Sequence, residues 1–293
     1  MKKPIALKLG QARQFTKDGQ WQAPKLYGVF GDPIAHSLSP VMHNSAFAKK
    51  NFGGIYLPFR VKSIGAAIAA MRVLNMQGAS VTLPHKINVL PHLDQIDAAA
   101  QKIGAVNTIH NQDGILKGYN SDAMGAVSAL MERTVIKNSR VGIIGAGGAA
   151  RAIGFGLRAK QAKVVVVNRS LDRGEQLAKD LDGQFVPLSE ALSVDCDVLI
   201  NATPMGLRPN VTNTPVNKKV FKTGMLVMDC IYTPRQTQFL KEAAAEGCET
   251  IDGLPMFIHQ GAFQFELWTG LKAPLAVMQA AVESALSRGN PTA

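Results

Sequence analysis

The sequence predicts an α/β protein of two α/β domains around a cleft, the N-terminal one built on a parallel-rich sheet. Three observations predict it. The chain has 293 residues, enough for two domains of ordinary size. Short apolar runs alternate with segments of helical period, first from Lys25 and again from about Arg140, as parallel strands joined by right-handed helical crossovers do. A glycine turn, GAGG, directly follows the apolar run RVGII near the middle of the chain.

Residues 1–24 are polar, carry no clear period, and read as an N-terminal extension. LYGVFG is then a short strand ending at Gly31, followed by the loop DPIAHSLSP. VMHNSAFAKKNF has helical spacing after Pro40. IYLPFRV reads as a strand, SIGAAIAAMRVLN as a helix and GASVTL as a third strand. Pro84 is expected to open a helix, since its missing N–H costs nothing there. Past the glycine turn, AARAIGFGLRAKQA is a helix. KVVVVN is a strand buried on both faces, because four valines follow one another without alternation. DRGEQLAKDLD is an amphipathic helix, DVLINAT and GMLVMDCIY are strands, and residues 255–287 are helical. Met42, Met76 and Met124 are expected to fill core. The domain junction is expected in residues 123–139.

Hydrophobic residues at 46% and charged residues at 18% describe a globular chain rather than a disordered one. The net charge of +11 is spread, with no run of five basic residues. A phosphorylated cofactor and a carboxylate substrate suit that bias, and neither nucleic acid nor membrane is expected as a partner. Cys196, Cys230 and Cys248 form an odd set without CxxC, which fits a reducing compartment. Lys8 interrupts the N-terminal apolar run too early for a signal peptide, and Arg151 interrupts the longest apolar stretch. A cytoplasmic protein is expected.

Gly145, Gly147 and Ala150 make GxGxxA between a strand and a helix. The first supplies the tight turn, the second lets backbone approach a pyrophosphate, and the alanine lets helix pack on sheet. With Ala146, Gly148 and Ala149, this turn offers free N–H groups and the positive end of a helix to phosphates. The next strand ends at Asn168, where an enzyme using NAD commonly carries Asp or Glu for the ribose hydroxyls. Arg169, Ser170 and Arg173 follow instead. Two guanidinium groups can clamp a 2′-phosphate, so the expected cofactor is NADP.

Hydride transfer to a ketone needs a proton donor at the oxygen. Lys86, after the strand SVTLP, and Asp122, in GYNSD, carry suitable chemistry, but spacing alone does not join them. Five of the six histidines, His36, His43, His85, His92 and His259, have no metal-ligand spacing, and no metal is expected.

From Tyr27 to Gly270 the chain resembles the shikimate dehydrogenase family, through GDPIAHSLSP, SVTLPHK, IGAVNTI, GYNSD, GAGGAAR, NRSLDR, INATPMG, DCIYTP and GLPMFIHQGA. The resemblance implies a shikimate-binding domain over 25–122, completed by helices of 256–293, and a Rossmann-type NADP-binding domain over 123–255. It implies reversible reduction of 3-dehydroshikimate to shikimate, with Lys86 and Asp122 as the catalytic pair. Ser37 and Ser39 would bind the substrate carboxylate. Thr82, Asn107 and Gln260 would bind the ring hydroxyls, and Tyr232 would close over the substrate. Ala202, Thr203, Met205 and Gly253 would line the nicotinamide side. Where the family commonly has Asn before Val81, this chain has Ser80, which leaves one substrate contact open. A quinate-preferring enzyme, or one accepting both acids, is an alternative. A ligand-sensing regulator on the same fold is another, although a sensor needs no acid–base pair. A monomer or a homodimer is expected.

Overall fold

The computed structural model describes residues 23–288; the expected extension lies almost wholly outside them. Two compact units form among them, one made of residues 23–119 together with 261–288, the other of Asn120–Gln260.

The first unit contains β1 (Lys25–Gly31), α1 (Ser39–Lys49), β2 (Gly54–Arg60), α2 (Ile64–Val73), β3 (Gly78–Val81), β4 (Gln95–Ile96), α3 (Ala98–Ile103), β5 (Thr108–Gln112) and β6 (Ile115–Tyr119). Its sheet runs β2-β1-β3-β5-β6-β4. β1 pairs in parallel with both β2 and β3, while β5 is antiparallel to β3 and to β6. The antiparallel half comes from a hairpin whose turn, Asp113-Gly114, has φ of 52° and 95°. Asp-Gly between apolar runs is a strong signal for such a primed turn. One face of the sheet packs Phe30, Ile68, Met71, Val81, Ile109 and Leu116 into a core. Tyr27, Phe47, Tyr56 and Trp268 form an aromatic cluster, and the Trp268 indole donates to the Ile109 carbonyl at 2.9 Å.

No helix follows Pro84, contrary to expectation. Residues 84–89 are turns, and Leu90–His92 is one 3-10 turn. Two causes combine, one local and one from further along the chain. Pro91 lacks the N–H that would continue a helix, and the Lys86 carbonyl accepts from Val106 N–H at 2.8 Å instead of from its own following turn.

The second unit contains α4 (Ser121–Met131), β7 (Arg140–Ile144), α5 (Gly148–Ala159), β8 (Lys163–Asn168), α6 (Leu171–Asp180), β9 (Gln184–Pro187), β10 (Val198–Asn201), β11 (Leu226–Asp229), α7 (Gln238–Ala245) and β12 (Glu249–Ile251). The division between units falls inside α8 (Gly253–Thr269), and α9 (Leu275–Ser287) follows in the first unit. All six strands of the second sheet are parallel, in the order β12-β11-β10-β7-β8-β9. This is the doubly wound order, with its switch point between β7 and β10. The valine run explains itself here. Val164 and Val166 enter one core, Val165 and Val167 the core on the opposite face. Met42 and Met76 are buried, but Met124 is 48% exposed. It lies on the side of α4 opposite Ala123, Ala126, Val127 and Leu130, so the expectation of a core residue there was wrong.

The candidate active site

In the second unit, the turn after β7 places Gly145 at φ 114°, a conformation that side chains oppose. A Cβ there would also come within 3.0 Å of the Thr203 methyl. Gly147 is the N-cap of α5 and no side chain caps that helix. A Cβ at Gly147 or Gly148 would meet no protein atom within 4 Å. The first turn of α5 therefore presents its N–H groups to an open space, as phosphate-binding helix ends do. Ala150 is fully buried against the sheet. A concavity of about 150 Å³ is lined by Ala146, Gly147, Asn168, Arg169, Ser170 and Arg173. Asp172 is not among its walls, and Asn168 turns its amide to the Ser170 carbonyl at 2.8 Å. The structure thus brings together the glycine turn and both arginines named from the sequence. Charge, shape and hydrogen-bond donors all suit the phosphates of a dinucleotide carrying a 2′-phosphate.

Two loops of this unit are pinned by one buried pair that the sequence had not singled out. Asn201 and Asp229 end adjacent strands in register. Asp229 accepts from Asn201 Nδ2 at 3.2 Å, Ile231 N–H at 3.0 Å and the Thr237 hydroxyl at 2.7 Å. Asn201 Oδ1 accepts from the Thr203 N–H and hydroxyl at 3.0 and 2.7 Å, and Asn201 Nδ2 also donates to the Met205 carbonyl at 3.2 Å. Burial pushes the Asp229 carboxyl upward from its ordinary value, while these hydrogen bonds pull it back. The loop with Ala202, Thr203 and Met205 and the loop with Tyr232 are held by the same side chains. Tyr232 stacks on Phe257 at 4.9 Å. Gly253 donates its N–H to the Ile231 carbonyl at 3.0 Å. Gln260 accepts from Ser121 at 3.2 Å, and Asp122 is half-buried at the start of α4, its N–H held by Asn120 at 3.1 Å.

In the first unit, Thr82 and Lys86 follow β3, and Asn107 precedes β5, at the same edge of the sheet as the loop after β1. Lys86 is half-buried. Ser37 is half-buried, and its Oγ accepts the Ser39 N–H at 3.3 Å. Ser39 is buried. Ser80 does not stand alone where the family commonly has Asn. Its hydroxyl accepts from Tyr56 at 2.7 Å and donates to Gln264 Oε1 at 2.9 Å. Tyr56 and Gln264 carried no sequence signal of their own, although Gln264 lies four residues after Gln260 on α8.

The doubly wound sheet, its glycine turn and the arginine-lined concavity define a dinucleotide-dependent oxidoreductase. Three family models match in succession: "Shikimate dehydrogenase substrate binding domain" over residues 29–109, "Shikimate / quinate 5-dehydrogenase" over 128–254 and "Shikimate 5'-dehydrogenase C-terminal domain" over 253–283. The chain belongs to the shikimate dehydrogenase family. It is 42% identical to the NADP(+) shikimate dehydrogenase of Geobacillus kaustophilus (strain HTA426), over 90% of this chain and 99% of that one. A shikimate dehydrogenase from Thermus thermophilus, solved with NADP(H) and shikimate, superposes with a TM-score of 0.84 at 37% identity, covering 89% of this chain and 99% of that one. A quinate dehydrogenase from Corynebacterium glutamicum, solved with NAD, reaches 0.82 at 27% identity, covering 89% and 99%. Among the described residues no helix is long and apolar enough to cross a membrane.

Proposed function

We propose that this chain catalyses the reversible, NADP-dependent reduction of 3-dehydroshikimate to shikimate, a step of aromatic amino acid biosynthesis. The observation that carries the reading is the arginine-lined concavity at the end of β8, in a chain whose family matches extend over both units. The α5 N-terminus with Gly145, Ala146, Gly147, Gly148 and Ala149 holds the pyrophosphate, and Arg169 and Arg173 take the 2′-phosphate beside Asn168 and Ser170. Ala202, Thr203, Met205 and Gly253 line the nicotinamide side. When bound, the reduced cofactor supplies a hydride to the ketone carbon.

Lys86, as an ammonium, gives or relays a proton to the oxygen as the carbonyl becomes an alcohol, and in the reverse direction it takes the proton back. Asp122 orients Lys86 and the substrate hydroxyl. Ser37 and Ser39 bind the carboxylate, Thr82, Asn107 and Gln260 the ring hydroxyls, and Tyr232 closes over the ring. The three cysteines are all free, which suits a reducing compartment, and we place the enzyme in the cytoplasm as a monomer or homodimer.

The test is a matrix of NADP and NAD against shikimate and quinate, read as kcat/KM from nicotinamide absorbance. The NADP–shikimate pair should exceed the other three. A higher kcat/KM with quinate would make this a quinate dehydrogenase, and no turnover in any cell of the matrix would return the chain to a sensing role.

A further inference from the structure

A line of buried side chains crosses the first unit from Tyr56 to Asn107. Tyr56, Ser80, Gln264, Thr108 and Asn107 are each no more than 6% exposed. Its hydrogen bonds run in one direction. Gln264 sets that direction, because its Oε1 can only accept. Ser80 donates to it at 2.9 Å, and His43 Nε2 lies 3.3 Å away. Burial holds His43 neutral by depressing its pKa to about 3, and the Nε2–H tautomer is the one that can donate to a carbonyl oxygen. Two donors on Oε1 turn the other end of the Gln264 amide toward Thr108, where Nε2 donates to Oγ1 at 2.9 Å. The Thr108 hydroxyl, having accepted, sends its own hydrogen to Asn107 Oδ1 at 2.8 Å. The carbonyl of Asn107 is thereby turned to Thr108 and its Nδ2 to the opposite branch.

We infer that Thr108 and Gln264 are positioning residues that fix the orientation of the Asn107 amide, so that the ring-hydroxyl subsite meets its ligand with an N–H donor and selects an acceptor oxygen. This rests on the reading of Asn107 as a substrate-binding residue. An amide free to flip would present either end, and the ring hydroxyl would have to turn its own hydrogen toward or away from it to match. The relay removes that freedom before the substrate arrives, which is preorganisation rather than an added contact. The relay also gives Ser80 a place: its hydroxyl works inward, as the link between Tyr56 and Gln264.

The experiment compares Thr108→Val, Thr108→Ser, Asn107→Ala and the double variant Asn107→Ala/Thr108→Val in the NADP–shikimate assay. Valine keeps the shape and the strand but has no hydrogen to donate. Thr108→Val should raise KM for shikimate by about 3- to 12-fold, the usual worth of one neutral hydrogen bond. Its kcat and KM for NADP should remain within about twofold, and Thr108→Ser should restore the wild-type KM. In the Asn107→Ala background the valine change should add nothing further. Should the valine variant not fold, Thr108→Ala carries the same comparison. If Asn107→Ala raises KM while the Thr108 variants match wild type, or if Thr108→Val acts with equal force without Asn107, the positioning role is wrong. If Asn107→Ala itself leaves KM unchanged, the substrate reading of Asn107 fails instead, and the inference falls with it.

Discussion

At the scale of single residues, the groups that handle protons and charge decide turnover. Lys86→Ala should lower kcat by about 10²–10⁴-fold, as loss of a general acid–base group does, and Asp122→Asn should cost a similar factor. Shikimate affinity should change by less than tenfold in both; two variants with near-normal kcat would remove the pair from the mechanism. Arg169 is exposed, so Arg169→Ala should weaken NADP by less than about 2 kcal/mol and leave NAD nearly unchanged, since only NADP loses a partner. Equal losses for both cofactors would place the 2′-phosphate elsewhere. The two serines should separate. Ser80 gives its hydrogen to Gln264 and accepts one from Tyr56. Ser39 is buried whereas Ser37 is half-buried, so Ser37 is the better placed of the two to meet a carboxylate. Ser37→Ala should raise KM for shikimate more than Ser39→Ala, and the opposite order would give Ser39 the larger share of the carboxylate. Sequence reached Arg169 and Arg173 because a cation at a strand tip needs no tertiary context to be recognised. It did not reach Gln264, whose partners Ser80 and Thr108 lie 184 and 156 residues away along the chain.

At the scale of elements, two strand ends carry the loops on which the cofactor reading depends. Asp229→Ala would leave the Thr237 hydroxyl, the Ile231 N–H and one Asn201 bond without their acceptor inside the protein. The cost should be about 2–4 kcal/mol of stability, with weaker binding of NADP and NAD alike because both loops loosen. Thermal unfolding and KM for each cofactor measure this; an alanine variant as stable as wild type would mean that water replaces the carboxylate at no loss. The same elements show what a linear reading can and cannot see. β7, β8, β10 and β11 were legible because strands buried on both faces are apolar throughout. β9 (Gln184–Pro187) and β12 (Glu249–Ile251) are short edge strands with mixed composition and went unread. The Asp113-Gly114 turn was visible in the letters but was not read, so the antiparallel strands β5 and β6 beside it were not placed within the parallel-rich sheet. Pro84 looked like a helix start because the competing partner for the Lys86 carbonyl, Val106, is supplied by a distant part of the chain.

At the scale of the whole molecule, acid should unfold the protein partly through His43. Its ordinary pKa of 6.5 falls to about 3 in the fold because the ring is fully buried, although its bond to Gln264 works the other way. Between those two values the unfolded chain binds more protons than the folded one, so stability falls as pH drops from about 6.5 toward 3 and is fully present above that window. His43→Gln, which cannot titrate, should flatten this part of the stability–pH curve; an unchanged slope would assign acid sensitivity to other groups. The discontinuity of the first unit has a consequence for how the protein is made. A ribosome moving along the message releases β1 through β6 long before it reaches α8 and α9. During that interval α1 lacks the helix it packs on, the space beside Gly78 lacks Trp268, and the hydroxyls of Ser80 and Thr108 lack the amide that joins them. The second unit, continuous in the chain, can close first. The nascent first half must wait, its aromatic face uncovered, until translation is almost over, and in that interval the uncovered apolar surface is open to aggregation.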